Sequence, residues 1–183
     1  MSRIPLGALE EFDNKTREFL QSMPPINLAQ MLARTGVASE VYALIFALFD
    51  DNYLPAEDRE IMLFRTCKNS DCSYESNFHK KTAHFSKEIA VAVLSEDISS
   101  LNPWAQKLCI ASDEMFHEGK MSEASVDAFV CHYGSYDTAC RAIFFLSWCN
   151  LTTLFVESTG VPLEDDSVLN NIKTPGWMTK GGV

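Results

Sequence analysis

Four residues in the stretch EIMLFRTCKNSDCSYESNFH can move protons or act as nucleophiles: Glu60, Cys72, Glu75 and His79. On a helix, positions i, i+3 and i+7 lie along one face, and Cys72, Glu75 and His79 have that spacing. Tyr74 and Phe78 fall on a different, apolar stripe suited to packing. A cysteine at a helix N-terminus has its thiolate stabilised by the dipole and the open N–H groups. A histidine titrates near neutrality and passes protons both ways. Two glutamates that face one another repel, so one can hold its proton at neutral pH and act as an acid. These residue types also bind zinc. There is no C-x2-C pair, however, and Glu75 to His79 is not the Glu-x-x-His spacing of di-iron bundles. The expectation is therefore proton transfer with no metal and no cofactor.

Helices must position these groups. Proline at 55 followed by Glu57 and Asp58 marks a helix start with acids in the first turn. That helix carries Glu60 and runs to about Cys67. Lys68 to Asp71 reads as a loop, and a second helix is expected from about Cys72 to about Leu94. Glu60 can then face the Cys72–Glu75–His79 stripe across a helical hairpin. The rest of the chain is read as helices over 8–22, from Asn27 (as N-cap) to near Gly36, and over 38–49, 104–118, 122–132 and 137–158. Pro24-Pro25, Gly119, Gly134 and Gly160 punctuate them. No stretch alternates apolar and polar residues between turn signals, and no solenoid repeat appears. The predicted fold is all-α, one helical bundle of six to eight helices spanning residues 1–183. The polar tail from Glu164 on is expected to be extended or poorly ordered unless Trp177 docks against something.

Composition narrows the function. At 183 residues the chain can bury a full core. Its net charge of −10, with no basic run, is the wrong sign for nucleic acid or for an anionic membrane surface. The longest apolar run, 139–156, contains Arg141 and Asn150, which favours a buried helix over a membrane span. The first residues lack the apolar core of a signal peptide. Six cysteines, mostly within apolar helical patterns, are then expected as reduced thiols in the cytoplasm. Arg141, read as buried, would need a carboxylate or an anionic ligand. His84, His117 and His132 read as structural.

The pattern Glu60-x11-Cys72-x2-Glu75-x3-His79, with Arg59 and Arg65 around the glutamate, resembles the carboxymuconolactone decarboxylase family, which includes the alkylhydroperoxidase D proteins. The likeness extends through Ala111 to Met121, the helix opened by Ser122, and Gly160-Val161-Pro162-Leu163, covering about residues 25–165. It implies an alkylhydroperoxidase D-like bundle assembling as homotrimers or homohexamers, acting on a small-molecule substrate. It also implies that His79, Glu75, Cys72 and Glu60 form the catalytic set. In the peroxidase branch two cysteines cycle through a disulfide, whereas here Glu75 stands where the second cysteine would be. Asp71 replaces the family's glycine before the motif cysteine, and Ser76 its tryptophan.

Three readings follow. The first is acid–base chemistry on a small organic acid, lactone or oxo compound, with His79 as proton shuttle. The second is a peroxidase attacking through Cys72. The third is an oligomeric protein that keeps the fold without catalysis.

Overall fold

The computed structural model describes residues 2–50, 52–80, 86–165 and 168. Among them all regular structure is helical. A 3-10 turn, Leu9–Glu11, precedes α1 (Asn14–Ser22), α2 (Asn27–Ala33), α3 (Ala38–Leu48), α4 (Ala56–Asn69), α5 (Ser73–Lys80), α6 (Lys87–Leu94), α7 (Pro103–Glu118), α8 (Glu123–Tyr133) and α9 (Tyr136–Thr159). The all-α expectation holds. Two of the expected helices are divided. Asp13, in extended backbone, accepts from the Thr16 N–H and starts α1 afresh after the 3-10 turn. Ser86 does the same for α6 through the Ile89 N–H, so the helix expected over 72–94 is two helices. His84, the last residues of the tail and Trp177 lie outside the described residues.

By contacts the chain forms two compact units, Met1–Leu48 with Phe155–Val183, and Phe49–Leu154. In the first, α1, α2 and α3 pack together. Asn27 is the first residue of α2, with Ile26 rather than Asn27 as its cap. The capping oxygen comes instead from Glu164, whose Oε1 accepts from the Asn27 N–H at 2.8 Å, while Asn27 Nδ2 donates to the Pro162 carbonyl at 2.9 Å. Gly160 has φ +67°, and a Cβ there would sit 3.0 Å from the Arg3 amide nitrogen. Glycine both takes this left-handed turn and lets the N-terminal segment reach the Thr159 carbonyl, to which Arg3 N–H donates at 3.0 Å.

The second unit is built on α4. Every residue from Asp58 to Cys67 is buried, including the charged Asp58, Arg59, Glu60 and Arg65, so each charge needs partners. Arg65 makes a two-pronged contact with Asp113 of α7, Nε to Oδ1 at 2.6 Å and Nη2 to Oδ2 at 2.7 Å. Its Nη1 donates to the Val93 and Ser95 carbonyls at the end of α6, at 3.0 and 2.6 Å. Asn69 Nδ2 adds a third donor to Asp113 at 2.7 Å. At the other end of α4, Asp58 accepts from Trp104 Nε1 of α7 at 3.0 Å and from Tyr133 Oη of α8 at 2.8 Å.

α9 is long and apolar enough, by length and composition, to cross a membrane, and 44% of its most apolar window is buried.

Burial pushes the Asp113 carboxyl up, but the hydrogen bonds from Arg65 and Asn69 outweigh it and hold it below its ordinary value. A carboxyl depressed in the folded state contributes stability that is complete above its unfolded pKa of about 3.9 and is lost as pH falls through the lower folded value. Asp113→Ala is expected to destabilise the protein by about 3 kcal/mol, because it leaves the Arg65 guanidinium buried without its carboxylate. Urea unfolding at pH 7 checks the size. The same titration toward acid pH should show a shallower loss for the variant than for the wild type.

Candidate functional site

The turn between α4 and α5 fixes where the candidate residues begin. Ser70 ends α4 in helical conformation and Asp71 follows at φ +52°, the one non-glycine residue with positive φ among the described residues. Cys72 N–H donates back to the Cys67 carbonyl at 2.9 Å and Asp71 N–H to the Lys68 carbonyl at 3.3 Å. This 6→1 and 5→2 pair is a Schellman motif, whose left-handed position usually belongs to glycine. Aspartate tolerates it better than most residues. The motif turns the chain within three residues and starts α5 beside Cys72.

On α5 two of the three residues expected on one face come together, while Cys72 immediately precedes the helix. Glu75 and His79 are 5% and 7% exposed, and Glu75 Oε2 lies 3.6 Å from His79 Nε2. That distance exceeds an ordinary N–H···O hydrogen bond, and it becomes an ion pair only when the imidazole is protonated. Two influences therefore oppose each other. The neighbouring carboxylate favours imidazolium, while burial favours the neutral ring. Burial wins, taking the His79 pKa down to about 4. Aromatic rings account for the dryness. Phe49 stacks on the imidazole with centroids 5.6 Å apart, and Phe78 meets it edge-on at 5.7 Å. Phe49 is held in turn by Phe145 of α9, edge-on at 5.4 Å, and by the Arg59 guanidinium 5.8 Å from its ring centre.

The structure adds a residue that the sequence reading leaves in the core. Cys149, one helical turn beyond Phe145 on α9, is fully buried. Burial raises its thiol pKa well above the ordinary value, and the charge of Glu75 raises it further. A thiol therefore approaches the Glu75–His79 pair from α9. Only its position four residues after Phe145 hints at this in the sequence, and nothing there separates it from a packing cysteine.

The other expected members are buried too. Cys72, at the start of α5, is 1% exposed, and Glu60, on α4, is 7% exposed. α4 and α5 pack against one another, as the hairpin expectation requires. Among the described residues, no three His, Cys, Asp or Glu side chains group closely enough to hold a metal ion. Arg141 is a correction. It is exposed rather than buried, with its guanidinium 5.7 Å from the Tyr53 ring centre, so no buried anion is needed to satisfy it. His132 stacks face to face on Trp104 at 3.6 Å, and His117 is exposed.

Comparison with protein-family models finds no match, and comparison with curated proteins finds none either.

A histidine held neutral by burial gives a defined pH signature. The unfolded chain binds a proton near pH 6.5 while the folded chain resists it down to about 4. Stability is therefore complete above pH 6.5 and falls as pH drops through that window, by up to about 3 kcal/mol. Denaturant unfolding of wild type and His79→Gln at pH 7 and pH 5 measures it. The variant should lose distinctly less stability between the two.

Proposed function

We propose that the protein is a carboxymuconolactone decarboxylase-like enzyme that uses His79 for cofactor-independent proton transfer on a small organic acid, lactone or oxo compound. The observation that carries this reading is the dry Glu75–His79 pair, with its atoms 3.6 Å apart and its imidazole neutral at physiological pH. A neutral imidazole can take a proton, and the adjacent carboxylate stabilises the cation that forms. In the proposed step His79 accepts a proton from a carbon next to a carbonyl. The C–H bond breaks, its electron pair stays on the substrate as an enolate, and the imidazolium returns the proton to another carbon. Where a substrate carries a carboxylate β to the carbonyl, CO2 leaves instead and the resulting enolate takes up one proton by way of His79. Glu60 and Glu75 set the charge around the ring.

Two further observations support the family likeness. Asp71, which stands where the family has glycine, occupies a left-handed backbone position. Arg59 and Arg65, the arginines around Glu60 in the motif, each have a defined buried role, against Phe49 and Asp113 respectively. The likeness also carries the proposal of a homotrimer or homohexamer. It is Glu75, rather than a second thiol, that adjoins His79, and Cys72 is almost fully buried. Reactive thiols are usually partly exposed in electropositive surroundings, which favours proton transfer over a peroxidase cycle at Cys72. The same burial of all four candidate residues favours, as a second reading, a protein that keeps the fold without turnover.

Turnover of a panel of β-keto acids and unsaturated lactones, followed by CO2 release and by deuterium incorporation, tests the proposal. His79→Ala should lower the rate at least about a hundredfold, the usual contribution of a general base, while Cys72→Ser keeps most of it. A rate lost in Cys72→Ser, together with peroxide consumption by the wild type, would move the assignment to thiol chemistry. No exchange or CO2 release on any substrate, with no change in the His79 NMR signals on adding them, would favour the non-catalytic reading.

A further inference from the structure

His79 is buried, so a molecule from solvent reaches it only when a neighbour moves. Three aromatic rings border on that question, all within the second unit. Phe145 is fully buried on α9 and is locked in the core. Phe78 is half-buried, but it belongs to α5 itself, where the preceding turn restricts its rotamers. Phe49 differs from both. It is half-buried and stands one residue past the end of α3, outside any helix. Its ring lies nearly parallel to the imidazole, at an interplanar angle of 24°. With 5.6 Å between centroids the two rings are not centred on one another. The phenyl ring is therefore offset and overhangs an edge of the imidazole.

We propose that Phe49 is the gate of the site: its ring turns about the Cα–Cβ bond while the backbone stays in place, and uncovers an edge of the His79 imidazole to a small flat molecule. The backbone beside the ring is pinned. The Asp50 carbonyl accepts from Arg59 Nη1 at 2.5 Å and from the Tyr53 N–H at 2.9 Å. Asp50 Oδ1 accepts from the Asn52 N–H at 2.8 Å. Opening is thus a rotation of one side chain and not a loop movement. The edge-on contact with Phe145 and the contact with the Arg59 guanidinium are of the weak kind that a ring gives up and regains readily. The space released has the width of one aromatic ring, which selects flat, ring-sized molecules over branched ones. Gating by one group also reconciles a dry resting site with access, since water is excluded whenever the ring is closed. The use of this opening by a substrate rests on the proton transfer proposed for His79; the opening itself does not.

Labelling of the full chain with diethyl pyrocarbonate at pH 7, read residue by residue by mass spectrometry, tests the gate without any turnover. The reagent attacks neutral imidazole, the form His79 holds at that pH, and the exposed His117 serves as reference. In the wild type His79 should react more slowly than His117, at a rate that stays flat in low urea, because turning one ring exposes little surface. Phe49→Leu should raise the His79 rate and Phe49→Ala should raise it further, by about tenfold, with the His117 rate and helical circular dichroism unchanged. Phe49→Trp disturbs the packing as well but keeps a larger ring over the imidazole, so it should slow the reaction. A wild-type His79 rate that climbs steeply with urea, as general unfolding requires, would overturn the gate even if every variant fails to fold. So would equal increases in Phe49→Trp and Phe49→Ala. Labelling in the expected order without turnover of any substrate would uphold the gate and count against the proton-transfer reading alone.

Discussion

The unit that carries the candidate site depends on one buried cation. Arg65 sits inside α4, and its side chain is 5% exposed. A buried guanidinium stripped of water is tolerable only when its donors are met. Here two meet Asp113 of α7 and one nitrogen serves the Val93 and Ser95 carbonyls. Those carbonyls belong to the end of α6, where a helix leaves acceptors unsatisfied and its dipole is negative. A single side chain thus joins three segments and closes a helix terminus. The bidentate geometry leaves little freedom in how α7 lies along α4. The Asp58 contacts to Trp104 and Tyr133 repeat the device at the opposite end of the helix.

That constraint reaches the site through the backbone. α4 is continuous from Asp58 through Arg65 to the Schellman turn, so fixing the helix fixes the position of Asp71 and Cys72, and with them the start of α5. Arg59, on the same helix, borders the Phe49 ring that covers His79. The chemistry of His79 is therefore set by packing rather than by a designed hydrogen bond. Aromatic walls remove water, water removal keeps the ring neutral, and the carboxylate beside it becomes useful only when a proton arrives.

Much of this was legible from residue type and spacing. Helical periodicity, Pro55, Gly119 and Gly134 located most elements, because local signals of capping and breaking act over a few residues. The i, i+4 relation of Glu75 and His79 follows directly from helix geometry and needs no tertiary knowledge. What the sequence hid is of a different kind. Ser86 was hard to see as a helix start because the apolar pattern on both sides of it remains helical. Arg141 looked buried because its neighbours are apolar, but α9 buries one face only, and the arginine lies on the other. Asn27 resembled a cap by type, whereas the capping oxygen belongs to Glu164, more than a hundred residues away. Cys149 was invisible for the same reason. Its relation to Glu75 is made by the packing of α9, and no local pattern encodes it.

Cys149 also bears on how the buried site should be understood. A thiol that burial and a nearby carboxylate hold protonated is a poor nucleophile, since the thiolate is the attacking species. The raised pKa thus argues that the Cys149 thiol lines the site rather than reacts in it. Redox cycling there would require the thiol to ionise against both the low dielectric and the charge of Glu75. Proton transfer to His79 meets the same low dielectric, which takes its pKa down to about 4, but the cation forms beside the Glu75 carboxyl, 3.6 Å away. Burial opposes both the thiolate and the imidazolium here; the charge of Glu75 adds to the cost of the first and offsets part of the cost of the second.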